Sequence, residues 1–337
     1  MKLETFPGWL AAGVLLLSAP QASASDHPAV EPIEISAREI TQFRPGHDEK
    51  TFGPLEFVGG LELTGSSPDF GSLSAFRFMK PGGDFIGVAD TGFWVFGRLQ
   101  HGADGRPSGI SDLTMQRMVD REGRPVEKKW DVDAEGLAVK DGIATVGFER
   151  RHRLADFRID PADMKASLRH LDFLIPAYEL RQNKGMEAVS WSRPDGPLKG
   201  SLVVVTERSL DKAGNLFAAI LGGPRHGIFT VRRSDGYDVS DSTFLPNGDL
   251  LLLERSYTMT SGLRVRIRRI AESDIVKGAT VDGPVLLQAD MSYQIDNMEG
   301  IDAWTRADGQ VMVSLISDDN HSILQRNLYL EFALHQD

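Results

Sequence analysis

The chain repeats one pattern along its length, and this repetition constrains the fold more than any single motif does. In each copy an acidic residue stands at the start of an apolar run, and a second acidic residue stands near the end of the next run. A first, weaker copy begins with a serine instead. Spaced 52 to 61 residues apart, the landmarks of the five copies are Ser74, Glu135, Glu187, Asp241 and Glu299.

Each copy predicts a small antiparallel sheet. Its apolar runs are bounded by Gly, Asp, Asn and Pro, and pairs such as Asp141-Gly142 and Asn247-Gly248 supply the positive φ of tight hairpins. Short sheets repeated at this interval predict an all-β fold, a single β-propeller with five countable blades. Residues 33–40 and 55–63 either complete the last blade by pairing with 328–334 or build a sixth blade. Closing the ring with both ends of the chain would remove open sheet edges.

The start of the chain has the features of a secretory signal peptide over residues 1–24, although a buried N-terminal helix is the alternative. Residues 9–17 are apolar, and Ala22-Ser23-Ala24 fits a cleavage site. Residues 25–54 then form an N-terminal extension with a closing strand, and residues 55–337 form the propeller domain. We expect a periplasmic or secreted protein, cleaved near Ala24, with no membrane span.

Charge and cysteine content exclude several classes of function. The formal net charge is −11, which disfavours binding to nucleic acid. The chain has no cysteine, so disulfides, thiol catalysis and cysteine-type zinc sites are excluded. We expect a monomer that acts on a small anionic or ester substrate.

The repeated acids predict a metal site. The first strand of a propeller blade lines the central channel, so Glu135, Glu187 and Glu299 should point toward its mouth, with Asp241 or Ser242 as their counterpart in the fourth copy. Carboxylates that converge must be protonated, paired with cations or bound to a hard metal such as Ca²⁺. Including the ends of the second strands, the predicted metal ligands are Glu135, Glu187, Glu299, Glu254 and Asp318.

Basic residues and one histidine lie beside these acids. Arg208 and Arg255 each follow a strand-end glutamate, and Lys184 precedes Glu187. These cations either bind an anionic substrate or clamp neighbouring blades through carboxylates. For acid–base catalysis the candidates are Glu207 and His321, although a lone loop histidine is more often a solvated surface residue.

Several of these phrases together resemble the esterase-like, phytase-like domain proteins. They are Glu135-Gly136, Asn183-Lys184-Gly185-Met186-Glu187-Ala188, Glu207-Arg208-Ser209, Leu253-Glu254-Arg255-Ser256 and Asn297-Met298-Glu299-Gly300-Ile301. The resemblance implies a secreted bacterial propeller that hydrolyses phosphate or carboxylic esters, with calcium held by carboxylates and phosphate by Lys and Arg. The first-strand glutamates are also similar to the metal-ligand glutamate of gluconolactonase- and paraoxonase-type propellers.

Two functional hypotheses follow from the residues and the resemblance. The first is a divalent-metal-dependent hydrolase of phosphate or carboxylic esters with Ca²⁺ at the channel mouth. The second is a non-catalytic propeller that binds a ligand, its acids forming a structural cation site or an ion-pair belt. A quinone-dependent redox propeller is less supported, because none of the five Trp and five Tyr recurs at an equivalent position of the repeat.

Overall fold

A computed structural model describes residues 28–181 and 184–335 of the 337-residue chain. The predicted signal peptide, residues 1–24, lies outside the described residues, as does Asn183 of the glutamate motif. The described residues form an all-β fold of 24 strands, with only one short α-helix, α1 (Lys129–Val132), and one 3₁₀-helix (Glu272–Asp274).

Five innermost strands form a closed ring around a central channel, each beside the innermost strands of both neighbouring blades. Near-continuous burial explains why these strands are so rich in apolar residues. From blade 1 to blade 5 they are β5 (Leu73–Phe78), β9 (Ala134–Lys140), β13 (Met186–Trp191), β17 (Asp238–Phe244) and β22 (Asn297–Thr305).

The remaining strands extend each blade outward by antiparallel pairing. The second strands are β6 (Asp84–Ala89), β10 (Ile143–Phe148), β14 (Leu202–Leu210), β18 (Leu250–Thr258) and β23 (Val311–Asp318). The third strands are β7 (Phe93–His101), β11 (Arg153–Arg158), β15 (Leu216–Leu221), β19 (Gly262–Ile270) and β24 (Asn327–Leu334). The fourth strands are β8 (Pro107–Arg117), β12 (Arg169–Leu171), β16 (Gly227–Val231), β21 (Val285–Asp290) and β4 (Leu55–Gly65).

The last blade is completed by strands from both ends of the chain. β4 pairs with β24 over eight residue pairs, so the segment at 55–63 completes blade 5 and does not build a sixth blade. The propeller therefore has five blades, as the repeat count predicted. Short edge strands add to the sheets: β1 (Glu31–Pro32) on β8, β2 (Ile35–Ile40) and β3 (Thr51–Phe52) on β4, and β20 (Thr280–Val281) on β16.

The core is divided among the interfaces between blades. Five principal clusters of buried apolar side chains each join neighbouring blades, for example Leu253 of blade 4 with Leu315 of blade 5. Each blade thus buries both faces, and the innermost strands are held at fixed positions around the channel.

Candidate functional site

A β-bulge interrupts every innermost strand at the same point, near one end of the channel. In each strand the register to the second strand shifts, leaving one residue without a partner. A bulge turns the side chain of its extra residue away from the regular alternation of the strand. We call these residues the bulge ring: Ser74, Glu135, Glu187, Ser240 and Glu299.

The bulge ring corrects one sequence assignment. The fourth-copy counterpart of the three glutamates is Ser240, not Asp241 or Ser242, because Asp241 pairs in register with Leu253. The other four landmarks are at equivalent positions, as the repeat predicted.

A second ring lies beside the first, at the ends of the second strands. Each member faces the residue that lies two positions before the bulge residue on the innermost strand. These facing residues are Ser72, Asp133, Gly185, Asp238 and Asn297. We call it the strand-end ring: Asp90, Glu149, Glu207, Arg255 and Asp318.

Glu254, predicted as a metal ligand, does not belong to this ring. Arg255 occupies the equivalent position in blade 4, and a shift of one residue along a strand turns the side chain to the opposite face. Glu254 instead accepts hydrogen bonds from Arg266 Nε (2.7 Å) and Arg268 Nη2 (2.6 Å) inside blade 4, with no exposed surface. The register therefore excludes Glu254 from the acidic site.

The two rings enclose a cavity of about 640 Å³ at the channel end, which we call the acidic mouth. Two basic side chains, Lys184 and Arg255, line it together with several polar and apolar residues. Its acidic lining residues are Asp90, Glu135, Glu149, Glu187, Glu207, Asp296, Glu299 and Asp318. Acidic residues thus outnumber basic residues in the lining by eight to two.

The two cations are held by ion pairs within the mouth. Arg255 Nη1 lies 2.5 Å from Glu299 Oε1, and Arg255 Nη2 lies 3.4 Å from Glu207 Oε1. Lys184 Nζ donates to both carboxylate oxygens of Glu207, at 2.9 Å and 2.7 Å. Both cations therefore have Glu207 as a partner, and most of the other acids have no cation from the lining.

Two groups of three carboxylates have the geometry of a metal site. Ligand oxygens of Glu149, Glu187 and Glu207 lie within 4.8 Å of one another, and all three residues are buried. A second group, at the same spacing, consists of Asp90, Asp133 and Glu135. Three converging carboxylates are a donor set that suits a hard cation such as Ca²⁺.

Unpaired oxygens in both groups strengthen this fit. Glu187 Oε2 and Asp90 Oδ1 are buried and have no hydrogen-bond partner, which is costly for a carboxylate. In the second group Lys129 Nζ already lies 2.5 Å from Asp90 Oδ2, and Arg150 is paired with Asp133. Cations thus pair with two acids of the second group but only with Glu207 in the first, so the group of Glu149, Glu187 and Glu207 is the better candidate for a tightly bound cation.

Five of the eight acids of the mouth are difficult to ionise when no cation is bound. Burial raises the pKa of Glu149 and Asp318 to about 7 and that of Glu299 to about 8. For Glu135 and Glu187, burial and then the charge of neighbouring carboxylates raise the pKa well above its ordinary value. A divalent cation would offset this cost by favouring the ionised forms.

The middle of the channel is closed by one buried ion pair. Arg77 of β5 reaches across the channel and donates to both carboxylate oxygens of Asp241 on β17, at 2.7 Å and 2.8 Å. It also donates to the carbonyl oxygens of Val189 (3.2 Å), Ser242 (2.8 Å) and Ile301 (3.1 Å). Arg77 also borders a cavity of about 280 Å³ at the other end of the channel.

Besides Glu254, two predicted site residues lie outside the lining of the mouth. Arg208 of blade 3 is paired with Asp238 of blade 4, which agrees with the clamp between blades that was the alternative for this residue. His321 is exposed on a loop, where its backbone N–H donates to Asp319 Oδ1 at 3.1 Å. In contrast, the mouth brings together the predicted residues Glu135, Lys184, Glu187, Glu207, Arg255, Glu299 and Asp318.

Sequence reasoning did not select Asp90, Asp133, Glu149 or Asp296 as ligands. The repeat could have identified Asp90 and Glu149, because each is the second acidic residue of its copy. Asp133 stands two residues before the Glu135 landmark. Asp296 lies just before β22, where no repeated feature marks it.

A larger cavity, of about 1170 Å³, lies between blades 1 and 2, and basic residues outnumber acidic residues in its lining by five to three. Of its acidic residues, Asp120 is paired with Arg124 at 2.8 Å and Asp131 with Arg151 at 2.5 Å. The acidic mouth, with its excess of carboxylates, is the stronger site candidate.

Sequence comparison agrees with this architecture. The model of the phytase-like family, described as "Esterase-like activity of phytase", matches residues 68–321. The chain belongs to the phytase-like family. The match covers β5 to β23 and with them both rings, and it leaves out the closing strands of blade 5. This membership indicates a hydrolase-type propeller.

The other comparisons of this phytase-like chain give distant similarities. No curated protein matches it. Endo-arabinase from Bacteroides thetaiotaomicron VPI-5482 is 9% identical, with 80% of this chain and 96% of that chain covered and a TM-score of 0.48. Glutaminyl cyclase from Myxococcus xanthus is 12% identical, with 92% and 100% covered and a TM-score of 0.40. Similarity at this level carries no information about activity.

None of the helices in the described part of the chain is long and apolar enough to cross a membrane.

Proposed function

We propose that this phytase-like protein is a calcium-dependent hydrolase of phosphate or carboxylic esters, with its active site at the acidic mouth. The observation that carries the proposal is the convergence of Glu149, Glu187 and Glu207, with one buried carboxylate oxygen left unpaired. These three residues would hold the principal ion, and Asp90, Asp133 and Glu135 could hold a second.

The reaction adds water across the ester bond. The water oxygen bonds to the acyl carbon or to phosphorus, the bond to the alcohol oxygen breaks, and the alcohol leaves with a proton. A bound Ca²⁺ would polarise the carbonyl or phosphoryl oxygen and lower the pKa of the attacking water.

The chain's own residues supply binding and proton transfer. Arg255 and Lys184 are the two cations that line the mouth, and they would orient the anionic or polarised end of the substrate. Glu299 and Asp318 line the same cavity, with pKa values raised by burial to about 8 and about 7, so near neutral pH either could take up or release a proton. Glu207, predicted as a catalytic base, is instead proposed as a metal ligand, because its carboxylate converges with those of Glu149 and Glu187 and both cations of the mouth contact it.

The test is an ester panel assayed with Ca²⁺ and with a chelator. We expect turnover that chelation abolishes and added Ca²⁺ restores, and we expect Glu187→Gln to remove it without loss of folding. Glu39→Gln, on the exposed side of β2, is the matched control and should keep full activity. Turnover that persists in the chelator would contradict the calcium requirement.

The binding-module alternative is favoured by the ion pairs of Arg255 with Glu207 and Glu299 across three blades. In that case the mouth acts as an ion-pair belt. Arg255→Met would then lower the melting temperature, and no ester would be turned over under any metal condition.

We also propose that the protein is exported and acts in the periplasm or outside the cell. The support is the signal-like sequence of residues 1–24. Fractionation of the cells that make it, with sequencing of the mature N-terminus, tests this.

A further inference from the structure

We propose that the substrate carries an apolar acyl or aryl group, which packs against one side of the acidic mouth. This inference rests on the proposed ester hydrolysis and specifies its substrate class. The evidence is a set of apolar side chains, the apolar wall, that line the same cavity as the carboxylates: Tyr257, Leu263, Met291 and Leu324.

The wall begins directly beside the strand-end ring. Strand β18 continues beyond Arg255 to Thr258, whereas β6 and β10 end before the ring position. Tyr257 lies two residues after Arg255 and therefore on the same face of the strand, one step farther out. Leu263 is directly opposite Tyr257 on β19, so the two side chains share that face.

Loops from the neighbouring segments complete the wall. Met291 lies against the turn of the β18–β19 hairpin, because a Cβ at Gly262 would come within 3.4 Å of Met291 Cγ. Leu324 lies in the loop between β23 and β24. The exposed fractions of Tyr257, Met291 and Leu324 are 73%, 61% and 87%, so the wall is open to a ligand.

Exposed apolar side chains that share a cavity differ from scattered ones. Single exposed apolar residues are normal, but a group at one site marks a surface that a ligand or partner covers. Here the group borders a cavity of about 640 Å³, a size suited to a small molecule. The wall adjoins Arg255, which we propose binds the polar end of the substrate. This arrangement favours a substrate in which an apolar group is joined to the reacting ester.

The two sides of the mouth differ in chemistry. Lys184, from the loop before blade 3, contributes a positive charge to the lining. The wall comes from blades 4 and 5 and contributes apolar surface. A polyol carrying several phosphates would leave the wall uncovered. An ester with one polar head and one apolar tail matches both sides.

The experiment measures kcat/KM on 4-nitrophenyl esters from acetate to octanoate, each below its critical micelle concentration, with Ca²⁺ present. Phenyl phosphate and glycerol phosphate form a parallel pair that distinguishes phosphate from carboxylic esters. We expect kcat/KM to rise about twofold per methylene, because a one-sided wall covers roughly half of the chain. Tyr257→Ser/Leu324→Ser should reduce that slope to near zero.

Ile323→Ser is the matched control, because Ile323 is also exposed and adjacent to Leu324 but does not line the cavity. It should leave the slope unchanged. A flat wild-type profile in both ester series would overturn the proposal, as would a slope that the double variant retains. A rate that depends on added phosphatidylcholine vesicles and not on chain length would assign the wall to a membrane surface and also overturn it.

Failure of the proposed hydrolysis would be seen separately, as no turnover of any ester. In that case calorimetry with Ca²⁺ present measures the affinities for methyl-, butyl- and octylphosphonate. These affinities test the dependence on chain length without requiring catalysis. Tighter binding with chain length, lost in the double variant, would support the apolar wall, and equal or absent binding would contradict it.

Discussion

The acidic mouth and the middle of the channel are built from the same strands but treat charge differently. In the middle, one arginine and one aspartate form a bidentate pair, and carbonyl oxygens accept the remaining N–H groups of Arg77. At the mouth, eight acids meet two cations, and a buried oxygen of Glu187 has no partner. Burial of charge alone therefore does not distinguish the two regions, and the unpaired, buried excess of carboxylates is what makes the mouth the candidate site.

The largest effect should come from breaking the balanced pair. Arg77→Met leaves Asp241 buried without its cation, and we expect the free energy of unfolding to fall by about 3–5 kcal/mol. Arg77→Met/Asp241→Leu should recover most of this loss, because it removes both charges. Urea denaturation of the three proteins measures it, and a loss below about 1 kcal/mol in the single variant would show that the pair does not hold the channel together.

A second balanced cluster gives a matched contrast. Glu254→Gln should destabilise the protein by about 2–4 kcal/mol, because Arg266 and Arg268 lose their shared buried carboxylate. It should leave calcium affinity unchanged, since Glu254 faces away from the mouth. Denaturation combined with calcium titration checks both parts, and weakened calcium binding in the folded variant would argue against the register assigned to blade 4.

The calcium-free protein should lose stability as the pH rises from 5 to 8. Folding raises the pKa of Glu149 from 4.5 to about 7 and that of Glu299 from 4.5 to about 8, so the folded state holds more protons between those values. The stabilisation is fully present below about pH 4.5 and is lost as the pH rises through the folded pKa values, by about 1.4 kcal/mol per pH unit for each proton held. Melting curves in chelator should show this decline, and saturating Ca²⁺ should reduce it. A flat profile in chelator would mean that the acids are already compensated.

The smallest effect should come from the pair between blades at the edge of the site. Arg208→Met should cost at most about 1 kcal/mol, because the arginine side chain is partly exposed. KM for any ester should not change, since Arg208 does not line the mouth. A large rise in KM would contradict this and would indicate that Arg208 binds the substrate.

Much of the fold could be predicted from the sequence repeat. The landmark spacing gave the five blades, and Glu135, Glu187 and Glu299 were placed correctly because they recur at one position of the repeat. The exact register was harder to infer. Glu254-Arg255 looks like Glu207-Arg208 in sequence, but the pairing of blade 4 places Arg255, not Glu254, at the position that Glu207 occupies in blade 3. A strand alternates its faces with period two, so this difference of one residue turns Glu254 away from the mouth.

Contacts across the channel could not be predicted, because no local sequence pattern marks the residues that make them. Arg77 and Asp241 are 164 residues apart, and nothing near either residue marks the other as its partner. The apolar wall was equally hidden, because Tyr257, Met291 and Leu324 come from three separate segments that only the closed ring brings to one cavity.

The most direct test of the account is calorimetric titration of the chelated mature protein with Ca²⁺, compared with Glu187→Gln and with the control Glu39→Gln. The account predicts binding by the wild type and the control, weakened by roughly two orders of magnitude in Glu187→Gln, because that variant removes a charged ligand. Absence of binding by the wild type, or equal binding by Glu187→Gln, would contradict it.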